Sequence, residues 1–296
     1  MQPTALAGWK PTSHTRTIAI IGNPIEHSLT PRLQNTALRA AGADIVNVAF
    51  RVPPSHLKGA VLGARDLGFL GLMVTIPHKE AVLELCDELD SSAELIGAAN
   101  LLEFKPDGRI VGHSSDGWAA LRSLEEEGVD FAGKRVVILG GGGAARSLAL
   151  TFARAGAAGL RILNRSVARA QKIAAEVERL QVSAIPAGND PTEIQDALRV
   201  ADLLVNATSV GMTPDIGQTP LPREYLRAGL AVYDIVYNPL ETRLLSEARA
   251  AGARAVDGLG MLIYTNVYAV KVCADLDISA ELMRDEALRA FAERPL

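Results

Sequence analysis

The chain has 296 residues, with 30 Lys and Arg against 34 Asp and Glu for a net charge of −4, and it is 48% hydrophobic but only 4% aromatic. That length predicts two domains, and a chain of this size buries about 75% of its unfolded surface, enough to be stable without disulfides or a metal. The mildly acidic balance excludes the basic field of a nucleic-acid binder, and no apolar run reaches the roughly 20 residues of a bilayer span. Met1 to His14 reads as a loose tail with no apolar signal core, so the expectation is a soluble cytoplasmic protein. Cys86 and Cys273 have neither metal nor redox spacing and read as two buried thiols.

Short β-branched runs alternate with helical stretches along the chain, which predicts βαβ units and a parallel sheet. Thr17 to Ile21 is the first strand, closed by Gly22-Asn23-Pro24, and a helix starts near Pro31. Ile45 to Phe50 is a second strand, and Ser55 to Leu67 a helix opened by a Ser55 cap. Gly71 to Thr75 is a third strand running into Pro77, a residue suited to the first turn of a helix. Leu101 to Phe104 and Arg109 to Val111 pair around Pro106-Asp107-Gly108. A second cycle opens with the strand Arg135 to Leu139, four glycines, and a helix to about Ala155. Strands follow at Leu160 to Leu163, Asp202 to Asn206 and Ala231 to Tyr233, with a long helix from Ser166 to Leu180. After Gly258 the chain reads as helical nearly to its end. These last helices, having no strand of their own, are expected to pack back on the first unit. The domain bounds are therefore 1–117 plus 259–296 for one domain and 118–258 for the other.

Gly140-Gly141-Gly142-Gly143-Ala144-Ala145 sits between a five-residue apolar strand and a helix. Glycines at 140, 142 and 143 permit a tight turn and close approach of backbone to a pyrophosphate, and the following helix presents free N–H groups to it. No Lys-Ser or Lys-Thr pair closes the run, so it is not a P-loop. An NAD site carries an acidic residue about 20 positions on, at the ribose 2′-hydroxyl. Here that place holds Asn164-Arg165-Ser166, with Arg169 one turn later. Two guanidiniums and no carboxylate suit a 2′-phosphate, so NADP is the expected cofactor, with NAD the alternative.

Three polar clusters fall where strands end, the ligand-binding edge of α/β folds. They are His27-Ser28-Leu29-Thr30-Pro31, Val74-Thr75-Ile76-Pro77-His78-Lys79 and Gly112-His113-Ser114-Ser115-Asp116-Gly117, with Asn100 adding an amide. Each has a plain alternative: Ser28 and Ser115 as helix caps, Lys79 as a first-turn cation. A lysine near a helix N-terminus is mildly unfavourable, so its placement asks for another reason, such as Asp116.

On these motifs the chain resembles the shikimate dehydrogenases from about Thr17 to Ala292. The likeness continues through Ile96-Gly97-Ala98-Ala99-Asn100, Asn206-Ala207-Thr208-Ser209-Val210-Gly211-Met212, Asp234-Ile235-Val236-Tyr237-Asn238-Pro239 and Gly258-Leu259-Gly260-Met261-Leu262. The resemblance implies an N-terminal α/β substrate domain and a Rossmann-type doubly wound NADP domain. It implies NADP-dependent interconversion of shikimate and its 3-keto form, 3-dehydroshikimate, by a monomer or homodimer. Lys79 and Asp116 match the catalytic pair. Hydride reduction of a ketone creates an alkoxide that needs a positioned acid, and the resemblance assigns that role to the pair rather than to one member. It further implies that Ser28 and Thr30 bond the substrate carboxylate and that Thr75, Asn100 and Tyr237 contact its ring. Thr208, Ser209, Ile235, Gly258 and Met261 would line the cofactor site beside Gly140, Gly142, Gly143, Ala144, Asn164, Arg165, Ser166 and Arg169.

Several positions depart from the family pattern: Thr30 for a second serine, Gln34-Asn35 for His-Asn, Met73 for Asn, Leu101 for Thr and Ser114-Ser115 for Asn-Thr. Thr265 stands where the family places a substrate-bonding glutamine, followed by Asn266 for a small residue. Each lost hydrogen bond costs about 0.5–1.5 kcal/mol, so a paralogue acting on quinate, an aminoshikimate or another hydroxylated ring acid is the alternative function. A non-catalytic NADP-binding sensor is a third reading, against which Lys79 and Asp116 argue.

Overall fold

The computed structural model describes residues 10–293 as two compact units. One takes the described residues up to Ser115 and those from Ile263, the other Asp116–Leu262. The part of the expected loose tail up to Trp9 lies outside the described residues.

The first unit is built on a six-stranded sheet. Its strands are β1 (Arg16–Gly22), β2 (Ile45–Arg51), β3 (Gly71–Val74), β4 (Glu88–Leu89), β5 (Leu101–Phe104) and β6 (Ile110–His113), in spatial order β2-β1-β3-β5-β6-β4. β1 pairs in parallel with β2 and β3, while β5 runs antiparallel to both β3 and β6. Ile18 to Ile21 are all buried, which is why β1 reads as a continuous apolar run rather than an alternating one. Helices α1 (Thr30–Ala40), α2 (Leu57–Asp66) and α3 (Ser91–Ile96) complete the N-terminal part. Asp90 caps α3 by accepting from the amides of Ser92 and Ala93, and Gly97 in the left-handed region ends it.

The second unit holds an all-parallel sheet of β7 (Arg135–Leu139), β8 (Gly159–Leu163), β9 (Ala184–Ala187), β10 (Leu203–Asn206), β11 (Ala231–Asp234) and β12 (Arg254–Val256). Its order, β12-β11-β10-β7-β8-β9, is doubly wound with the reversal between β7 and β10. Between the strands run α4 (Asp116–Glu126), α5 (Gly143–Arg154), α6 (Val167–Glu178), α7 (Pro191–Arg199) and α8 (Arg243–Ala250). In α6 the buried positions are Ala170, Ile173, Ala174 and Val177, the 3.6-residue stripe of a helix lying on a sheet.

The last helices, α9 (Leu259–Ala274) and α10 (Ala280–Glu293), are separated by a break after Asp275, a non-glycine residue at φ +48°. Val270, Leu276 and Ile278 pack with Ile18, Leu38 and Ile45, so the C-terminal segment does return to the first sheet. No helix among the described residues is long and apolar enough to cross a membrane.

Two local expectations are corrected. Ser55 does not cap a helix: Pro54 opens a 3-10 turn, Pro54–His56, and α2 begins only at Leu57 without a side-chain cap. No helix begins at Pro77 either: the next element after β3 is the 3-10 turn Ala81–Leu85.

Candidate active site

In the first unit, β1 and β3 end side by side and their following loops are joined. The Asn23 amide donates to the Ile76 carbonyl (2.9 Å), and a Cβ on Gly22 would sit 2.6 Å from Thr75 Cγ2. Ser28 follows in the first loop, and its Oγ accepts from the amide of Thr30, the buried first residue of α1. Ser28 therefore braces the turn into α1, although it is not the helix cap.

Thr75 and Lys79 lie on the second loop, each half-buried. The His78 side chain is buried, with Nε2 2.7 Å from the Val52 carbonyl, and the Lys79 carbonyl accepts from the Ala99 amide at 2.8 Å. Lys79 is thus held from both sides in a loop. Since no helix starts at Pro77, the unfavourable helix-end placement inferred from the sequence does not arise.

β5 runs against β3, so its first residues lie at the carboxyl end of β3. The Asn100 carbonyl accepts from Val74 N (2.8 Å), and its side chain pairs with Ser115, Oδ1 accepting from the Ser115 amide at 2.9 Å and Nδ2 donating to Oγ at 3.0 Å. Ser115, the residue before α4, is thereby tied to Asn100. Ser28, Thr30, Thr75, Lys79 and Asn100 therefore share one edge of the sheet, while Thr265 is buried on α9. Asp116 is the first residue of the second unit and opens α4.

Three of the departures from the family pattern form one buried cluster. Gln34 Nε2 lies 3.2 Å from Met73 Sδ and 3.3 Å from the Asn266 carbonyl, and its Oε1 accepts from Asn47 Nδ2 at 2.7 Å. Gln34 and Asn266 are fully buried. Gln34 thus finds its partners in the core, Asn266 contributing its backbone carbonyl, and Asn35 bonds both backbone groups of Asn47 beside them.

In the second unit the glycine loop follows β7. Gly140 has φ +128°, and a Cβ there would lie 2.9 Å from the Ala207 carbonyl, so the turn requires glycine. A Cβ on Gly141 would meet Asn164 Nδ2 at 2.6 Å, a requirement that strand and helix periodicity could not expose. Cβ positions on Gly142 and Gly143 face open space at the uncapped N-terminus of the twelve-residue α5, whose first turn holds no carboxylate. Those features fit a pyrophosphate. Beyond β8, Asn164 Nδ2 donates to the Ser166 carbonyl at 3.0 Å, and Arg165 and Arg169 are exposed without a carboxylate partner among the described residues. Ser166 has the cap position of α6 but makes no side-chain cap bond.

The turns after β10 and β11 carry Thr208, Ser209, Ile235 and Tyr237. A Cβ on Gly258 would strike the Ile235 carbonyl, and Met261 lies one turn into α9. Beneath these turns Asp234 is fully buried, and burial pushes its carboxyl up to about 6 against the hydrogen bonds from Thr242, the Val236 amide and Asn206. Burial likewise pushes the Tyr233 hydroxyl far up. A second group that stands in a sequence motif without a role assigned to it is His113, whose ring nitrogens lie 3.2 Å from Asp90 Oδ2 and 3.1 Å from Glu103 Oε2. These partners are distant in sequence and carry no local signature. Among the described residues no group of three His, Cys, Asp or Glu side chains is arranged to hold a metal.

Residues 20–102 match the family description "Shikimate dehydrogenase substrate binding domain", and residues 122–216 match "Shikimate / quinate 5-dehydrogenase". The shikimate dehydrogenase (NADP(+)) of Methanopyrus kandleri is 48% identical over 279 residues, covering 93% of this chain and 96% of the relative. A crystal structure of a shikimate dehydrogenase in complex with NADP+ superposes with a TM-score of 0.89 at 38% identity, over 96% of this chain and 98% of that one. The shikimate 5-dehydrogenase of Listeria monocytogenes, solved with shikimate and NAD, gives 0.90 at 34% identity, over 94% and 98%. With identity of this order across nearly the whole length of each relative, the chain belongs to the shikimate dehydrogenase family.

Proposed function

We propose that the chain is an NADP-dependent oxidoreductase that interconverts shikimate and 3-dehydroshikimate. The observation that carries this reading is 48% identity across 93% of the chain to a relative named for that activity. In this reading the first unit binds the ring acid and the second the dinucleotide. Ser28 and Thr30 bond the substrate carboxylate, and Thr75, Asn100, Tyr237 and Thr265 contact its ring and hydroxyls. The glycine loop, Asn164 to Ser166 and Arg169, Thr208, Ser209, Ile235, Gly258 and Met261 hold the cofactor.

NADP, when bound, accepts a hydride from the ring carbinol or, as NADPH, supplies one to the ketone. The protein's part is to hold the ring and manage one proton. Lys79 and Asp116 act as the acid-base pair: the ammonium stabilises negative charge at the reacting oxygen and relays the proton. His78 and the Ala99 amide fix the loop that carries Lys79, so its backbone does not have to be ordered when substrate arrives.

The 2′-phosphate preference rests on Arg165 and Arg169, exposed and unpaired with any carboxylate among the described residues. The family reading also accommodates the departure at Gln34, whose side chain finds buried partners in Met73 Sδ, the Asn266 backbone carbonyl and Asn47.

Steady-state assays of the purified protein with shikimate and quinate, each with NADP and NAD, test the reading. The expected outcome is the highest kcat/KM for shikimate with NADP. A higher kcat/KM for quinate, or undetectable turnover of shikimate with either cofactor, overturns it. Lys79→Ala and Asp116→Ala should each lower kcat by about 10²- to 10⁴-fold, the range of a lost acid-base group, with NADP affinity retained.

A further inference from the structure

The last rung of the second sheet between β10 and β11 pairs Asn206 with Asp234. Both side chains are fully buried, at the carboxyl end of two adjacent parallel strands beside the topological reversal. A buried carboxylate is costly, and an apolar residue of similar size would often stabilise the core as well or better. What Asp234 does with its charge therefore calls for a reason other than packing.

Its partners supply one. Asp234 Oδ1 accepts from Asn206 Nδ2 (2.9 Å) and from the Val236 amide (3.1 Å), and Oδ2 accepts from Thr242 Oγ1 (2.7 Å). The donors come from the end of β10, the turn after β11 and the cap of α8. The network then continues outward. Asn206 Oδ1 accepts from both the amide (3.1 Å) and the hydroxyl (2.7 Å) of Thr208, and Thr208 Oγ1 accepts from the Val210 amide at 3.2 Å. Thr242 Oγ1 in turn accepts from the Leu245 amide and so starts α8. Every proton in this chain of bonds has one acceptor, so the carboxylate sets the direction of the whole network.

We propose that Asp234 is a positioning residue of the cofactor site. Through Asn206 and the Val236 amide it holds the turns carrying Thr208, Ser209 and Ile235 in the shape that receives the dinucleotide before it arrives. The inference rests on the assignment of those turns to the cofactor. It adds that their order comes from one buried carboxylate, and that losing it weakens cofactor binding more than substrate binding.

The test compares Asp234→Ala with Asp234→Asn. In Asp234→Asn the amide oxygen can still accept from Asn206 and Val236 while its NH2 donates to Thr242 Oγ1. NADP affinity is measured by calorimetry without substrate, alongside the KM values for NADP and shikimate and the rise in Tm caused by NADP. Asp234→Ala should weaken NADP binding by about tenfold or more, the scale of a lost charge-assisted hydrogen bond. It should raise the shikimate KM, measured at saturating NADP, by a clearly smaller factor, and Asp234→Asn should recover most of the affinity. A folded Asp234→Ala protein that binds NADP as tightly as the wild type overturns the proposal, as does a lower Tm with unchanged affinity in both variants. If Asp234→Ala does not fold, Asn206→Ala cuts the link to Thr208 and leaves the carboxylate its other two donors. It should show the same loss of NADP affinity, and unchanged affinity there overturns the proposal too. The two readings fail separately. A wild-type protein that binds NADP without oxidising shikimate sinks the assigned reaction and leaves this inference standing. Wild-type turnover with unaltered NADP affinity in the variants does the reverse, and a wild type that binds no nicotinamide nucleotide overturns both.

Discussion

Two carboxyls in this protein, Asp90 half-buried and Asp234 fully buried, respond to pH with opposite sign. Burial opposes ionisation of Asp90, but hydrogen bonds from His113, the Ala93 amide and Ser92 outweigh it and pull the carboxyl down to about 2. A folded value below the ordinary 3.8 means that ionised Asp90 favours the folded state. The contribution is about 2 kcal/mol, present above pH 4 and lost as pH falls toward 2. Asp90→Asn should lower Tm at pH 7 and flatten its fall between pH 4 and 2 in calorimetric scans. A variant with the wild-type acid profile would rule this out. For Asp234 burial wins and the folded value rises to about 6. The folded state then holds the proton more tightly than the unfolded one, so stability falls as pH climbs from about 4 to 6 and is level above. Asp234→Asn should remove that slope, read from the same scans, and an unchanged slope would contradict the assignment. Neither residue was picked out as a site from the sequence. The partners of Asp234 lie 28 and 8 positions away and those of His113 lie 23 and 10 away, separations with no periodicity to detect.

At the scale of elements, legibility followed burial and length. β7 and α5 were readable because a buried parallel strand is a continuous apolar run and the glycines mark its end. β9 was missed because Pro186 disguises it. The strand lies at the edge of the sheet, where a residue without an N–H can be accommodated. α7 and α8 are short, and the stabilising hydrogen bonds at their starts come from Asp190 and Thr242, which look like ordinary loop residues in sequence. Helix packing adds a constraint that periodicity cannot express. A Cβ on Gly117 of α4 would strike the Thr151 side chain of α5. Gly117→Ala should therefore cost about 1–3 kcal/mol by overpacking, and Gly117→Ala with Thr151→Ala should recover much of it in denaturant titrations. Additive losses in the double variant would show that the two helices do not meet there as described. The β8–α6 turn gives the cofactor test at this scale. Arg165→Ala and Arg169→Ala should each raise the KM for NADP by about tenfold and leave that for NAD within twofold. Equal effects on both cofactors would remove the 2′-phosphate assignment.

For the whole molecule, the sequence and structure agree that the first unit is assembled from both ends of the chain, and a single ion cluster shows how. Arg32 on α1 bonds Glu286 and Glu293 on α10, and Arg289 also holds Glu286, which is only 8% exposed. Around the cluster, Leu33 and Leu38 of α1 and Met283, Ala287 and Ala290 of α10 are buried. The first helix to be made thus relies on the last for its outer cover. The second unit is contiguous and has its own core, in which Val137, Leu204 and Val232 of neighbouring strands meet Leu198 and Leu245 from the helices. Removing the Arg32 guanidinium leaves Glu286 buried with one partner. That should cost about 2 kcal/mol, the scale of a charged hydrogen bond lost from a mostly buried group. Glu293 is exposed, so its pair with Arg32 adds little. Because the loss falls on one unit, Arg32→Ala should lower native-state hydrogen-exchange protection in β1, β2, α1 and α10 while leaving β7, β8 and β10 unchanged. Equal loss throughout both sheets would mean that the two units open as one cooperative body, and that the C-terminal helix secures more than the sheet it covers.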